Sequence, residues 1–179
     1  MSSRSAAIWV GVFLVLAFAG GGGLDLFSSS DDNGPTQSAL FGRVVRVVDG
    51  DTVHVRLNKG RGTRTVRYIG VDTPESVKPG VPVQCFAKQA SKFNSHLVAG
   101  RRVRLQVGRE RNDRYDRLLA YVYVRGSDGA FVNAELVRRG YARTLEIEPN
   151  TDFADRFERL ERRAREDRLG MWAACEPAQ

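Results

Sequence analysis

The chain has 179 residues, 42% of them hydrophobic and 27% charged, with a formal net charge of +7. That is long enough to bury a real core and too ordinary in hydropathy for a disordered or fully membrane-embedded chain. Arg4 against Asp25, Asp31 and Asp32 leaves −2 on the first 39 residues, so residues 40–179 carry +9 and favour a polyanionic partner: nucleic acid first, an anionic membrane surface second.

Residues 1–24 read as an apolar leader. Ala6 to Leu24 contains no charged side chain, Arg4 precedes it, and Ala17-Phe18-Ala19 has the small-x-small form of a signal-peptidase site. The dense apolar part is shorter than the roughly 20 residues a spanning helix needs, and the glycines at 20–23 extend it. Two outcomes stay open, a cleaved signal peptide and an uncleaved membrane anchor, and both imply export. Residues 25–40, rich in Ser, Asp, Gly and Pro, read as a flexible linker. The domain is expected over 41–176.

Within it, Arg43–Val48 and Thr52–Leu57 flank Asp49-Gly50, a strong hairpin signal, and Thr63–Ile69 is a third strand. A helix is expected near Phe86–Leu97, with Phe86, Ala90, Phe93 and Leu97 as its apolar stripe and Gly100 closing it. Arg102–Val107 and Leu118–Val124 are the fourth and fifth strands. Asn133 is placed to cap a helix through Arg139. The last helix spans Thr151 to Arg168, with Phe153, Phe157, Leu160 and Ala164 inward and an Arg/Glu face read as solvated. Five strands with a helix between the third and fourth give an α+β, mainly β fold: a five-stranded oligonucleotide-binding (OB)-type barrel with three helices, preceded by the apolar leader.

Three segments at strand ends carry chemistry. They are Asp49-Gly50-Asp51-Thr52, then Asp72-Thr73-Pro74-Glu75 downstream of Arg67, and Arg114-Tyr115-Asp116-Arg117. Pro74 fixes its own φ and biases Thr73 toward extended backbone, so Asp72, Thr73 and Glu75 are presented together. Hard oxygen donors beside a fixed guanidinium suit a divalent ion and a phosphate in one pocket. Taken singly, each segment is equally a surface turn with an ion pair. An EF-hand is excluded, because the twelve-residue frame from Asp49 ends at Gly60 instead of Glu. His54 and His96 lie in no motif and read as surface or packing. Cys85 and Cys175 form a natural disulfide in an oxidising compartment, two unrelated thiols being the alternative.

Together these elements resemble the staphylococcal-nuclease-like (thermonuclease) family. The matching stretches are Val-Asp-Gly-Asp-Thr at 48–52, Arg67 with Val-Asp-Thr-Pro-Glu at 71–75, and Asp-Arg-Tyr-x-Arg-x-Leu-Ala-Tyr at 113–121. Phe131-Val132-Asn133, Leu136-Val137-Arg138 with Gly140, and Leu169-Gly170-Met171-Trp172 complete the resemblance. It implies a Ca²⁺-dependent nuclease acting on DNA and RNA, leaving 3′-phosphate ends. On the matching positions Asp51, Asp72 and the Thr73 carbonyl would ligate Ca²⁺. Glu75 would orient or deprotonate the attacking water, Arg67 and Arg117 would grip the phosphate, and Arg114 and Tyr115 would contact substrate. The protein would act as a monomer, secreted or anchored at the outer face of the cytoplasmic membrane. Two departures stand out: Asp116 replaces the family's usual glycine, and Leu145 and Ile147 stand where nucleotide-walling tyrosines are expected. The competing readings are a non-catalytic OB-type nucleic-acid-binding module and a basic domain tethered to anionic lipid.

Overall fold

The computed structural model describes residues 39–75, 80, 82–126 and 129–175, so the leader and nearly all of the expected linker lie outside the described residues. Alternation in sequence becomes a barrel. Strands β1 (Ala39–Val47), β2 (Thr52–Leu57), β3 (Thr63–Tyr68), β5 (Arg102–Asn112) and β6 (Leu118–Val124) close in the order β1-β2-β3-β6-β5. Every second side chain points inward, as the period of two requires: Val44, Val53, Val55, Val66, Val103, Leu105, Val107 and Val122 are all essentially inaccessible.

Closure depends on β1 serving two neighbours. Its first half pairs with β5 (Ala39↔Gln106 to Arg43↔Arg102) and its second with β2, with a register shift between Val44 and Arg46. A bulge there bends the strand around the barrel corner. β1 begins two residues before the expected domain start, because Ala39 and Leu40 already pair with β5. The pairing of β3 with β6 is parallel, with Val66↔Leu118 and Arg67↔Leu119. That register brings two distant segments of chain to one end of the barrel.

Beyond the five strands, a two-stranded patch joins β4 (Val71–Asp72) to β7 (Arg143–Thr144). Among the described residues the helices are α1 (Ala87–Val98), α2 (Val132–Arg138), α3 (Ala154–Glu166) and a short α4 (Met171–Ala174), one more than expected for the domain. On α1 the buried residues are Ala87, Ala90, Asn94 and Val98, with Phe93 and Leu97 half-buried, so the stripe sits about one residue round from the expected one. The cause is Asn94. Its Oδ1 accepts from the Tyr68 hydroxyl at 3.0 Å and its Nδ2 donates to the Asp49 carbonyl at 2.9 Å, tying α1 to β3 and to the first turn.

Asn133 does not cap α2. It lies inside the helix, buried, accepting from the Val122 amide at 2.9 Å and donating to the Ile69 carbonyl at 2.8 Å. Its amide therefore bolts β6 to the end of β3. On α3 the charged face is not wholly solvated. Glu161 is buried and accepts from the Thr144 amide, the Thr144 hydroxyl and Arg165, so the helix holds β7 in place. Cys85 and Cys175 are joined in a disulfide, which ties the approach to α1 to the segment after α4. Closing 90 residues of separation stabilises by about 4–5 kcal/mol in the chain-entropy account.

Candidate active site

The site is built at the end of the barrel where β3 and β6 run side by side. Its first wall is the turn after β1. The Asp51 amide donates to Asp49 Oδ1 at 3.0 Å, and Asp51 itself is 5% exposed. Asp51 Oδ2 accepts from the Thr73 amide and the Thr73 hydroxyl, each at 3.0 Å, and pairs with Arg67 Nη1 at 3.2 Å. Such close approach of Thr73 requires a glycine beside Asp51: a Cβ on Gly50 would meet the Thr73 hydroxyl oxygen at 2.5 Å.

Arg67 is the hub. The register Thr52↔Arg67 sets it beside Asp51. Nη1 also donates to the carbonyls of Tyr68 (3.0 Å) and Val71 (2.7 Å), and Nη2 donates to Asp72 Oδ1 at 3.1 Å. The side chain is 13% exposed. Gly70, at φ 77°, lets the chain turn between β3 and β4 with the Phe157 ring pressed against it. Glu75 follows at the end of this wall, its amide donating to Gln84 Oε1 at 2.8 Å and its carbonyl accepting from the Gln84 amide.

This wall is short of positive charge. Burial raises the Asp72 carboxyl above its usual range despite Arg67, and the charges of Asp51 and Glu75 push the same way. Asp49 is pushed up to about 6 by burial and by Asp51. Several carboxylates around one guanidinium are hard oxygen donors of the kind that fit a hard divalent cation. Among the described residues no three His, Cys, Asp or Glu side chains form a cage by themselves, so such an ion would need backbone oxygens or water as well.

The second wall is the turn entering β6. Asp113 Oδ1 accepts from the amides of Tyr115 (2.9 Å) and Arg117 (3.0 Å), while Oδ2 binds Arg117 through Nε and Nη2, both at 2.7 Å. Burial works against the Asp113 charge, but those amides and the guanidinium outweigh it and hold its carboxyl below the usual range. Asp116 adopts φ 58°, the left-handed turn a glycine would take. Its carboxylate engages Arg64 and Asn112, leaving Arg117 to Asp113.

Between the walls lies a cleft of about 370 Å³. Arg67, Arg114, Tyr115 and Arg117 line it, with Leu145 and Ile147 opposing as an aliphatic rim. Tyr115 is 65% exposed, with the guanidinia of Arg114 and Arg117 over its ring at 4.8 and 5.4 Å. Asp51 and Asp72 contact Arg67, Thr73 contacts Asp51, and Asp72 feels the charge of Glu75, but none of these four lines the cleft itself. Sequence reasoning missed Asp113 as the partner of Arg117, Glu110 as a lining residue, and Asp49 as part of the acidic wall. Asp113 stood at the head of the 113–121 motif, and an aspartate opening a turn, able to accept from the amide two residues on, was the available signal.

An OB-type barrel with carboxylates around Arg67 on one wall and the Arg114 and Arg117 guanidinia on the other suits a protein that handles phosphodiesters. Comparison narrows the class. The family model described as "Staphylococcal nuclease homologue" matches residues 65–174. The thermonuclease of Staphylococcus intermedius is 39% identical over 161 residues, covering 90% of this chain and 90% of its own. That of Staphylococcus hyicus is 36% identical over 149 residues, covering 79% and 85%. Endonuclease YncB of Bacillus subtilis (strain 168) is 43% identical over 130 residues, covering 72% of this chain but only 59% of its own length. The chain belongs to the staphylococcal-nuclease-like family and, by that membership, is a nuclease.

Proposed function

We propose that the protein hydrolyses the phosphodiester bonds of DNA and RNA in a Ca²⁺-dependent reaction with little sequence preference, leaving 3′-phosphate ends. The observation that carries this reading is the double membership of Arg67, which binds Asp51 and Asp72 on one side and lines the same cleft as Arg117 on the other. Asp51, Asp72 and the Thr73 carbonyl are the residues that would hold the ion. When bound, it would supply charge neutralisation and Lewis acidity at the phosphate.

The chain's own groups do the rest. Arg67 and Arg117 position the phosphate through planar, permanently charged forks and offset the charge that builds on its oxygens. Glu75 orients the attacking water and accepts its proton. Water adds to phosphorus, the bond to the 5′ oxygen breaks, that oxygen takes a proton from solvent and leaves as the 5′ hydroxyl, and the phosphate stays on the 3′ side. Arg117 reaches the phosphate by exchanging one carboxylate, Asp113, for another anion. Arg114 and Tyr115 contact substrate at the rim, and the aliphatic Leu145 and Ile147 favour loose, base-indifferent packing.

The apolar leader supports export, either secreted after cleavage or anchored at the outer face of the cytoplasmic membrane. The Cys85–Cys175 bond supports an oxidising compartment. The protein is taken to act as a monomer. The test is nicking of supercoiled plasmid with Ca²⁺ and with chelator, on the wild type and on Glu75→Gln. Nicking that requires Ca²⁺ and collapses in the variant is expected; full activity in chelator, or an unchanged rate in Glu75→Gln, would overturn the mechanism.

A further inference from the structure

The outward face of the barrel carries a charge pattern that the cleft does not use. Pairing sets Arg43 of β1 directly opposite Arg56 of β2 on one side and Arg102 of β5 on the other. Just past β6, the Arg125 amide donates to the Arg102 carbonyl at 2.8 Å, which extends the row by one more strand. All four side chains are exposed, while their neighbours Val44, Val55, Val103 and Val124 point inward. At about 4.8 Å per strand, the row is about 14 Å long.

Like charges directly opposite one another destabilise a sheet. Among the described residues the fold supplies none of these four arginines with a carboxylate partner. It does orient two of them. Arg43 donates to the Gly100 carbonyl at 2.6 Å, and the Arg125 guanidinium lies over the Phe41 ring at 5.3 Å. In the adjacent row Arg104 sits over Tyr123 at 3.9 Å. A depression of about 400 Å³ lies among Phe41, Arg43, Asn58, Arg102 and Arg125, and none of these residues lines the catalytic cleft.

We propose that this arginine row is a second nucleic-acid site, which holds the phosphodiester backbone of a substrate strand outside the catalytic cleft. The proposal rests on the nuclease reading for its choice of polyanion. A line of guanidinium forks, two of them held in place, suits regularly spaced phosphates. The rings are already covered by guanidinia, so they brace cations instead of stacking bases, and the site reads backbone without sequence. It raises the local concentration of long substrate and adds to the salt dependence of binding.

The test uses the full chain carrying Arg102→Glu and Arg125→Glu together, with thermal melting to check the fold. Binding of a fluorescent single-stranded oligonucleotide is measured by anisotropy in chelator, where no hydrolysis is needed, so the result stands apart from the catalytic reading. Affinity is expected to fall about tenfold and the slope of log affinity against log salt to become shallower by about one to two. In the presence of Ca²⁺, KM should rise on plasmid, with no change on a thymidine nitrophenyl phosphodiester that fills the cleft alone. Unchanged oligonucleotide affinity and salt slope would overturn the proposal. So would an equal loss on the small diester, which would place the effect in the cleft. Loss of binding to phosphatidylglycerol vesicles with nucleic-acid binding intact would assign the row to a membrane instead and overturn it as well.

Discussion

The two walls of the cleft hold their arginines in different ways. Arg67 is 13% exposed and fixed by two carboxylates and two backbone carbonyls, so it is as much part of the barrel's frame as of its site. Arg117 is 31% exposed and is held on a turn by one carboxylate, Asp113, with the Tyr115 ring against its guanidinium. The first wall is preorganised at the cost of burying charge. The second is cheaper to rearrange, because one anion can replace another at Arg117 without unsatisfying the backbone. On the proposed reading, Arg67 is the fixed cation that defines where phosphate sits and Arg117 the exchangeable one that closes on it.

The largest effect expected from this contrast is at Arg67. Arg67→Ala should abolish nicking and also destabilise the fold by about 3–5 kcal/mol in urea unfolding, because it strands the buried Asp51 charge. Arg117→Ala should separate the two properties. We expect a loss of about 10²–10³ in kcat, as for removal of one transition-state donor, with a stability change below about 1 kcal/mol because the pair is partly exposed. If both variants unfold equally easily, the two walls are not distinct.

A smaller effect is expected away from the cleft. Burial opposes the Glu161 charge, but Thr144 and Arg165 outweigh it and hold its carboxyl below the usual range. A carboxyl depressed in the folded state stabilises above its unfolded value, about 4.3, and that contribution is lost as pH falls through the folded value. Glu161→Gln should therefore cost about 1–3 kcal/mol at neutral pH and flatten the acid side of the stability curve. Nicking per folded molecule should stay unchanged. A variant that lost activity while folded would tie β7 to the chemistry more closely than this account does.

Much of the barrel was legible because alternation and turn residues are local signals. The hairpin at Asp49-Gly50, the third strand leading to Pro74 and the buried fifth strand all announce themselves within a few residues. The parts that were not legible are buried polar groups whose partners are distant in sequence. Asn133 looks like a helix cap and is instead a bolt between β6 and β3; Asn94 interrupts an apolar stripe; Glu161 looks like one more solvated helix charge. None carries a periodic signature, because each is defined by a backbone group on another element. The same holds at the site. The segments bearing Arg67 and Arg117 could be picked out, yet only the parallel β3–β6 register shows how they come to line one cleft.

The central claim is that Arg67 and Arg117 act on the same phosphate. A double-mutant cycle with Arg67→Lys and Arg117→Lys, read as kcat/KM for plasmid nicking with Ca²⁺, tests it most directly, since lysine keeps the charge and removes the fork. Two groups that grip one phosphate should be coupled by about 0.5–3 kcal/mol, so the double variant should lose less than the product of the single losses. Losses that multiply without coupling would mean that the two arginines serve separate groups, and the account of the cleft would fail.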